Sequence, residues 1–255
     1  MTTVFAFTPR KGAERLLGPV RAVSVHDAAM EDRFGAWVEC VPLKVRAERY
    51  QRDGTLCERD HFDRSGRFRD RAVFAYDGDG RLGERTHYDH AGQATARFYY
   101  SYDSSGRLVE MAGYDPTGGH LSRLRRDYDA DGALRAMIEV EGDRWTRWSF
   151  RMDPSGAIIA ADGTIAVADQ PAGRLAIRYD RHGAMRDGAR YDAGGIPQAR
   201  WRYRYDGARE RGNWTRRITE YQVDKFGRDT FEPTLVTYRR FAFFGAGQDH
   251  QSETV

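Results

Sequence analysis

Metal and proton-transfer chemistry in this sequence would fall to seven histidines (His26, His61, His87, His90, His120, His182 and His250) and two cysteines, Cys40 and Cys57. No histidine pair has HxxxH or HExxH spacing, and no compact Cys/His set is present, so the spacing offers no metal centre. His90, His120 and His182 stand in or beside turns, where a solvated imidazole needs no further role. The acids of Asp77-Gly78-Asp79-Gly80 and Asp129-Ala130-Asp131-Gly132 present oxygens at short intervals, but neither run continues into a calcium loop closed by Glu. Glycoside cleavage requires two carboxylates facing across a cleft, and spacing singles out no pair among the 38 acids. No Gly-x-Ser-x-Gly elbow, phosphate loop or Gly-x-Gly-x-x-Gly turn stands in a strand–helix setting. The sequence therefore predicts no catalytic residue, no metal and no cofactor.

The strongest pattern is architectural. Tyr-Asp-x-x-Gly-x-Leu recurs from Tyr50, Phe62, Tyr76, Tyr88, Tyr102, Tyr114 and Tyr128, with glycines at 54, 66, 80, 92, 106, 118 and 132. The gaps alternate strictly between 12 and 14, so the repeating unit is a pair of elements every 26 residues. Copies continue as MDPSGAI (from Met152), YDRHGAM (from Tyr179) and YDAGGIP (from Tyr191), with a weaker VDKFGRD from Val223 and a Tyr205 copy lengthened before Gly212.

Between turns lie seven to nine residues, which is strand length. A leading Asp that caps backbone amides and a closing Gly that takes positive φ make a type I turn with a glycine bulge. Asp77 with Gly80, Asp103 with Gly106 and Asp129 with Gly132 are the structural turn residues, and Tyr76 sits opposite Leu82. The predicted fold is all-β: an antiparallel meander of repeated β-hairpins, a strip or partly wrapped sheet, with little or no helix. Its divisions are an N-terminal capping segment (1–42), a regular repeat sheet (43–158), an irregular small-residue connection (159–174), and degenerate repeats with a C-terminal cap (175–255).

Counting alternate residues away from the Tyr/Leu rungs sets Arg69, Arg71, Arg85, Arg97, Arg123, Arg125 and Arg135 on the opposite face, with Asp127 and Glu139. Asp70, Glu84 and Glu110 fall with the rungs. Neighbouring strands lie ~4.8 Å apart, so these arginines would gather into a patch that docks an acidic protein. Arg81 and Arg107 face their own turn aspartates. Trp145, Trp148, Trp201 and Trp214 lie where the repeat degenerates, and are the aromatics expected at the surface.

The YDxxGRL copies at this spacing resemble the RHS/YD repeat of bacterial surface and toxin-delivery proteins, over roughly residues 43–230. Tyr205–Tyr221, with its Gly-Asn-Trp-Thr string, is similar to the closing copy of small bacterial YD-repeat proteins. Gly18–Asp27 is similar to their opening strand. The resemblance implies β-hairpin strips, which in very long members coil into a hollow shell around a toxin.

A net charge of +3 is far below that of a basic nucleic-acid binder. No stretch reaches the ~18–20 apolar residues of a helical membrane span, and Val4-Phe5-Ala6-Phe7 is too short for a secretory core. The expectation is a cytoplasmic bacterial protein, with export by a specialised secretion system left open. Its role is that of a non-enzymatic protein-binding or scaffolding module. The alternatives are a carbohydrate- or cell-envelope-binding module and an accessory or immunity protein of an RHS-type toxin system.

Overall fold

The computed structural model describes residues 16–245, and every regular element in that span is a β-strand. The segment Val4–Phe7 and His250 lie outside the described residues. The strands are β1 (Val20–Arg33), β2 (Ala36–Glu39), β3 (Leu43–Tyr50), β4 (Leu56–Phe62), β5 (Phe68–Tyr76), β6 (Leu82–Asp89), β7 (Ala94–Tyr102), β8 (Leu108–Tyr114) and β9 (His120–Tyr128). They continue with β10 (Leu134–Glu141), β11 (Arg144–Met152), β12 (Ile158–Val167), β13 (Gln170–Tyr179), β14 (Met185–Tyr191), β15 (Pro197–Glu210), β16 (Asn213–Lys225) and β17 (Arg228–Phe243). From β3 to β17 each strand pairs antiparallel with the next, and β1 closes the circle. Ser24 of β1 faces Arg240 of β17 on one side and Ala47 of β3 on the other. The ring thus has sixteen strands, and β2 lies outside it as the return limb of a hairpin arm on β1.

The repeat turns have the expected chemistry. The Asp77 amide donates to the Arg81 carbonyl (2.8 Å) and the Gly80 amide to that of Asp77 (2.9 Å). Asp77 Oδ1 accepts from the amides of Asp79 and Arg81, and Gly106, at the same place in its turn, has φ 74°. Gly106→Val should therefore cost about 1–3 kcal/mol, the strain of a β-branched residue at positive φ. Ser104→Ala in the same turn should be nearly silent in a thermal melt; two equally mild changes would contradict the turn assignment.

Counting of strand faces fails at one repeated point. Tyr76 pairs with Leu82 but Ala75 pairs with Glu84, leaving Gly83 as an extra residue. The same slip follows the first residue of nearly every repeat strand. Each bulge resets the alternation between inside and outside. Arg85 therefore points into the ring, paired with Phe74 and Phe98, and Glu139 also faces inward. Glu84 and Glu110 move to the outer wall, paired with Tyr99 and Arg125.

The two rims use the motif differently. At the rim nearer the described chain ends, Tyr76, Tyr102, Tyr128 and Tyr205 lie inside. Their hydroxyls donate to the carbonyls of Leu56, Leu82, Leu108 and Met185, each twenty residues back, at 2.8–2.9 Å. Arg81 and Arg107 bond their turn aspartates and cover the rings of Tyr102 and Tyr128. These four tyrosines thus clasp their turns to the preceding turn on the same rim. At the opposite rim Phe62, Tyr88 and Tyr114 face outward.

Two divisions expected from sequence are corrected. Residues 20–33 are not a cap but the strand that joins β3 to β17. Residues 159–174 are not an irregular connection but most of β12 and the start of β13, linked by the two-residue turn Ala168-Asp169. Their small side chains answer a packing need: Ala160, Ala161 and Ala166 are almost fully buried, and a Cβ on Gly163 would lie 2.9 Å from the Trp148 ring. Gly113 beneath Phe98 and Gly188 beneath Trp201 repeat the arrangement, each glycine being the cross-strand partner of its ring. Each large ring lies flat against the inner wall where its cross-strand glycine leaves room for it.

Candidate functional site

The seven arginines do not form one patch. Arg85 is inside. Arg71 is bound by Glu58 and by Asp60 (2.7 Å), Arg69 by Asp70 (2.5 Å) and Arg123 by Glu110 (2.8 Å), with Arg125 at 3.9 Å from the same Glu110. Among the described residues Arg97 and Arg135 are exposed without an ion pair. The bulges that turn Glu110 outward are what neutralise this face.

The interior is aromatic, aliphatic and charged. Glu48, buried, is held by Arg46 (3.3 Å) and Arg59 (2.9 Å) and accepts from the Tyr50 hydroxyl (2.8 Å). Burial pushes its carboxyl up, but the two guanidiniums outweigh that and keep it below the ordinary range. His61 Nδ1 lies 2.5 Å from Asp70. Burial raises Glu139, which accepts from Trp148 Nε1 at 3.0 Å. The tryptophans are not a surface platform: Trp148 and Trp214 are buried and Trp201 points inward over Gly188, while Trp145 is on the outer wall, bonded to Asp169. The Trp148 and Trp201 rings follow the interior glycines Gly163 and Gly188, a link that a repeat count does not show. The turn aspartates are engaged by backbone amides, and no group of three His, Cys, Asp or Glu among the described residues could hold a metal ion.

His87 is not a solvated histidine. It stands inside beside Phe98 (5.2 Å between rings), and burial, then the Arg85 charge, lowers its pKa to about 4. The unfolded chain takes up this proton near the ordinary value of 6.5, so folding is favoured above that pH and loses stability as pH falls toward 4. The loss approaches about 3 kcal/mol. Urea melts of wild type and His87→Gln should diverge across this window, with the variant flatter; parallel curves would remove His87 from the acid limb.

Beyond the ring, β1 and β17 stop pairing at Ala29–Leu235 and each runs on into its own hairpin. The tips share one design, Asp32-Arg33-Phe34-Gly35 and Asp224-Lys225-Phe226-Gly227. In both, the Asp Oδ1 accepts from the Gly amide at 2.8 Å and the Phe has φ 56°. Both phenylalanines are completely exposed, at 109% and 103%. Arg211 takes a similar φ at another hairpin, but it covers the Phe243 ring. Trp37, Val38 and Val41 extend the apolar surface of the first arm. Its base is fixed where Ala28, Ile218 and Val236 are buried with Met30, and where Glu39 binds both Arg216 and Tyr238. Lys225 is held above its usual range by Glu232, with Asp32 of the other arm adding to the effect. Sequence reading missed the first tip and took the second, VDKFGRD, for a weak repeat copy, whereas Lys225 pairs with Arg228 around a two-residue turn; the available signal was Asp–basic–Phe–Gly occurring twice.

No family model matches the chain, and no curated protein matches it. Among solved structures, a porin-like protein from Bacteroides uniformis superposes with a TM-score of 0.56 at 10% identity, covering 89% of this chain and 98% of that one. The likeness is one of fold. A TcdB2-TccC3-Cdc42 structure matches at a TM-score of 0.28 and 15% identity, over 82% of this chain and 16% of that chain. A Photorhabdus luminescens Tc holotoxin pore gives 0.25, again at 15% identity, over 70% and 14%. The chain is an all-β antiparallel meander closed into a sixteen-stranded barrel, with a porin-like fold neighbour and weak structural similarity to Tc toxin components.

Proposed function

We propose that this chain is a non-enzymatic, protein-binding bacterial repeat protein of the RHS/YD type, in which the barrel is the scaffold and the two hairpin arms are the contact point. The observation that carries the reading is the pair of matched tips. A bulky residue at positive φ is strained, and a fully exposed Phe leaves its apolar surface in water. Two copies of the same costly arrangement, side by side and touching no packing partner, suit a partner with apolar pockets. The wall has no comparable surplus, because its repeat chemistry is spent on capping, clasping and pairing with its own neighbours.

The medium favoured by this reading is water. A lipid-facing barrel carries an apolar outer band ~25 Å tall, whereas the strand centres here turn Glu58, Asp60, Arg71, Arg97, Arg123 and Glu220 outward. A cytoplasmic site of action fits such a wall.

Replacing Phe34 and Phe226 together by Asn tests the proposal. Asn-Gly suits a type I′ hairpin, so the double variant should melt higher, by about 1 kcal/mol of stability per tip. It should also lose the product formed by a photo-crosslinker at Trp37 with the native partner. Crosslinking that persists unchanged would refute the arms as the contact point.

A further inference from the structure

Within the barrel interior, the stretch β3–β7 holds a cation that no carboxylate among the described residues answers. On the inward face of β3–β7, Arg46 and Arg59 are answered by Glu48, and His61 by Asp70. Arg85 has no carboxylate within ion-pairing distance among the described residues. Its guanidinium stacks on Phe98, 4.0 Å from the ring centroid, and burial pulls its proton affinity down. The groups that bear on it electrostatically are the Tyr100 oxygen, which is helpful, and Arg59, which is repulsive. Arg85 Nε and His87 Nε2 are both buried without a hydrogen-bond partner. His87 lies one step along the same inward face, between Ala72 and Ala96 of the flanking strands.

A half-buried guanidinium with no carboxylate beside it is costly in a protein interior, and the buried, unpartnered Nε of Arg85 and Nε2 of His87 add to that cost. One class of ligand removes both deficits. An oxyanion supplies the missing charge, accepts from the planar guanidinium fork, and accepts from a neutral imidazole N–H and a phenol O–H. An apolar ligand would leave the charge unanswered, and a cation would be repelled. Rings of sixteen strands leave an aqueous lumen in porins, so the width of this ring is compatible with a guest.

We infer that the lumen face of β6 and β7 carries a site for a small oxyanion, a phosphate or carboxylate group held by Arg85, His87 and Tyr100. The site is separate from the arms and stands whether or not they dock a protein.

Thermal melts of the full chain, titrated with sodium phosphate or sodium acetate at constant ionic strength against sodium chloride, test it. At least one of the two anions should raise the midpoint saturably beyond chloride, and which one does so identifies phosphate or carboxylate as the class. Arg85→Met should weaken that apparent affinity at least tenfold, while melting at or above wild type in chloride alone because the unanswered charge is gone. Arg71→Gln, on the outer wall, should respond as wild type does. If Arg85→Met does not fold, Arg85→Lys, which keeps the charge but loses the fork, should show the weakened response. The inference is overturned if neither anion shifts wild type saturably, or if the Arg85 variant responds as strongly as wild type.

Discussion

Gly113→Val is expected to lower the stability of the barrel by about 3 kcal/mol, the upper end of the range for overpacking a core. A Cβ at this position would sit 2.5 Å from Cε1 of Phe98 and 3.0 Å from the Ser122 hydroxyl. Phe98 is itself buried and stacked by Arg85, so it has little freedom to retreat. Truncating the ring should release the conflict: Phe98→Ala combined with Gly113→Val should be less destabilising than the two single changes added together, by about 1–2 kcal/mol. Strict additivity in urea melts would show that the glycine is not there to admit the ring.

Asn213→Ala should cost about 3–4 kcal/mol. The Asn213 side chain is buried and makes three hydrogen bonds: it accepts from the Leu17 amide (2.8 Å) and donates to the carbonyls of Leu17 (2.8 Å) and Glu210 (3.1 Å). Removing it breaks all three hydrogen bonds, each contributing about 0.5–1.5 kcal/mol, and releases Leu17 from its anchor on β16. The damage is local to the strand that closes the ring, since Leu17 leads directly into β1. Amide exchange over Val20–Val25 should accelerate with the fall in midpoint; a midpoint within about 1 kcal/mol of wild type would contradict this role for Asn213.

Much of the wall was legible from residues. Alternating glycine gaps imply alternating rims, and the Asp/Gly turn was readable at Asp77, Asp103 and Asp129 because its chemistry is local to five residues. Closure was not, because pairing of Ser24 with Arg240 joins the two ends of the described chain, and no local pattern specifies it. The misplaced side chains trace to one physical feature. A bulge at Gly83 or Val109 changes nothing in the apolar pattern that a reader can count, yet it moves Arg85 inside and Glu110 outside. The segment 159–174 was misread because Ala and Gly, which mark loops by composition, are here the residues that fit beneath Trp148. The second arm tip was read as a weak repeat copy because Asp224 and Gly227 keep the Asp-x-x-Gly spacing, and the exposure of both tips becomes apparent only when the barrel shows that nothing covers Phe34 or Phe226.

Closure of the ring is the claim on which both the lumen and the paired arms depend, and a cross-strand disulfide tests it most directly. In a background with Cys40 and Cys57 replaced by Ser, cysteines at 24 and 240 and, separately, at 24 and 47 occupy directly opposed positions, where Cβ atoms in antiparallel pairs lie about 4.5–5.5 Å apart. Both pairs should oxidise quantitatively in the folded monomer. Formation of the 24–47 bridge without the 24–240 bridge would describe an open strip, and would contradict the closed barrel.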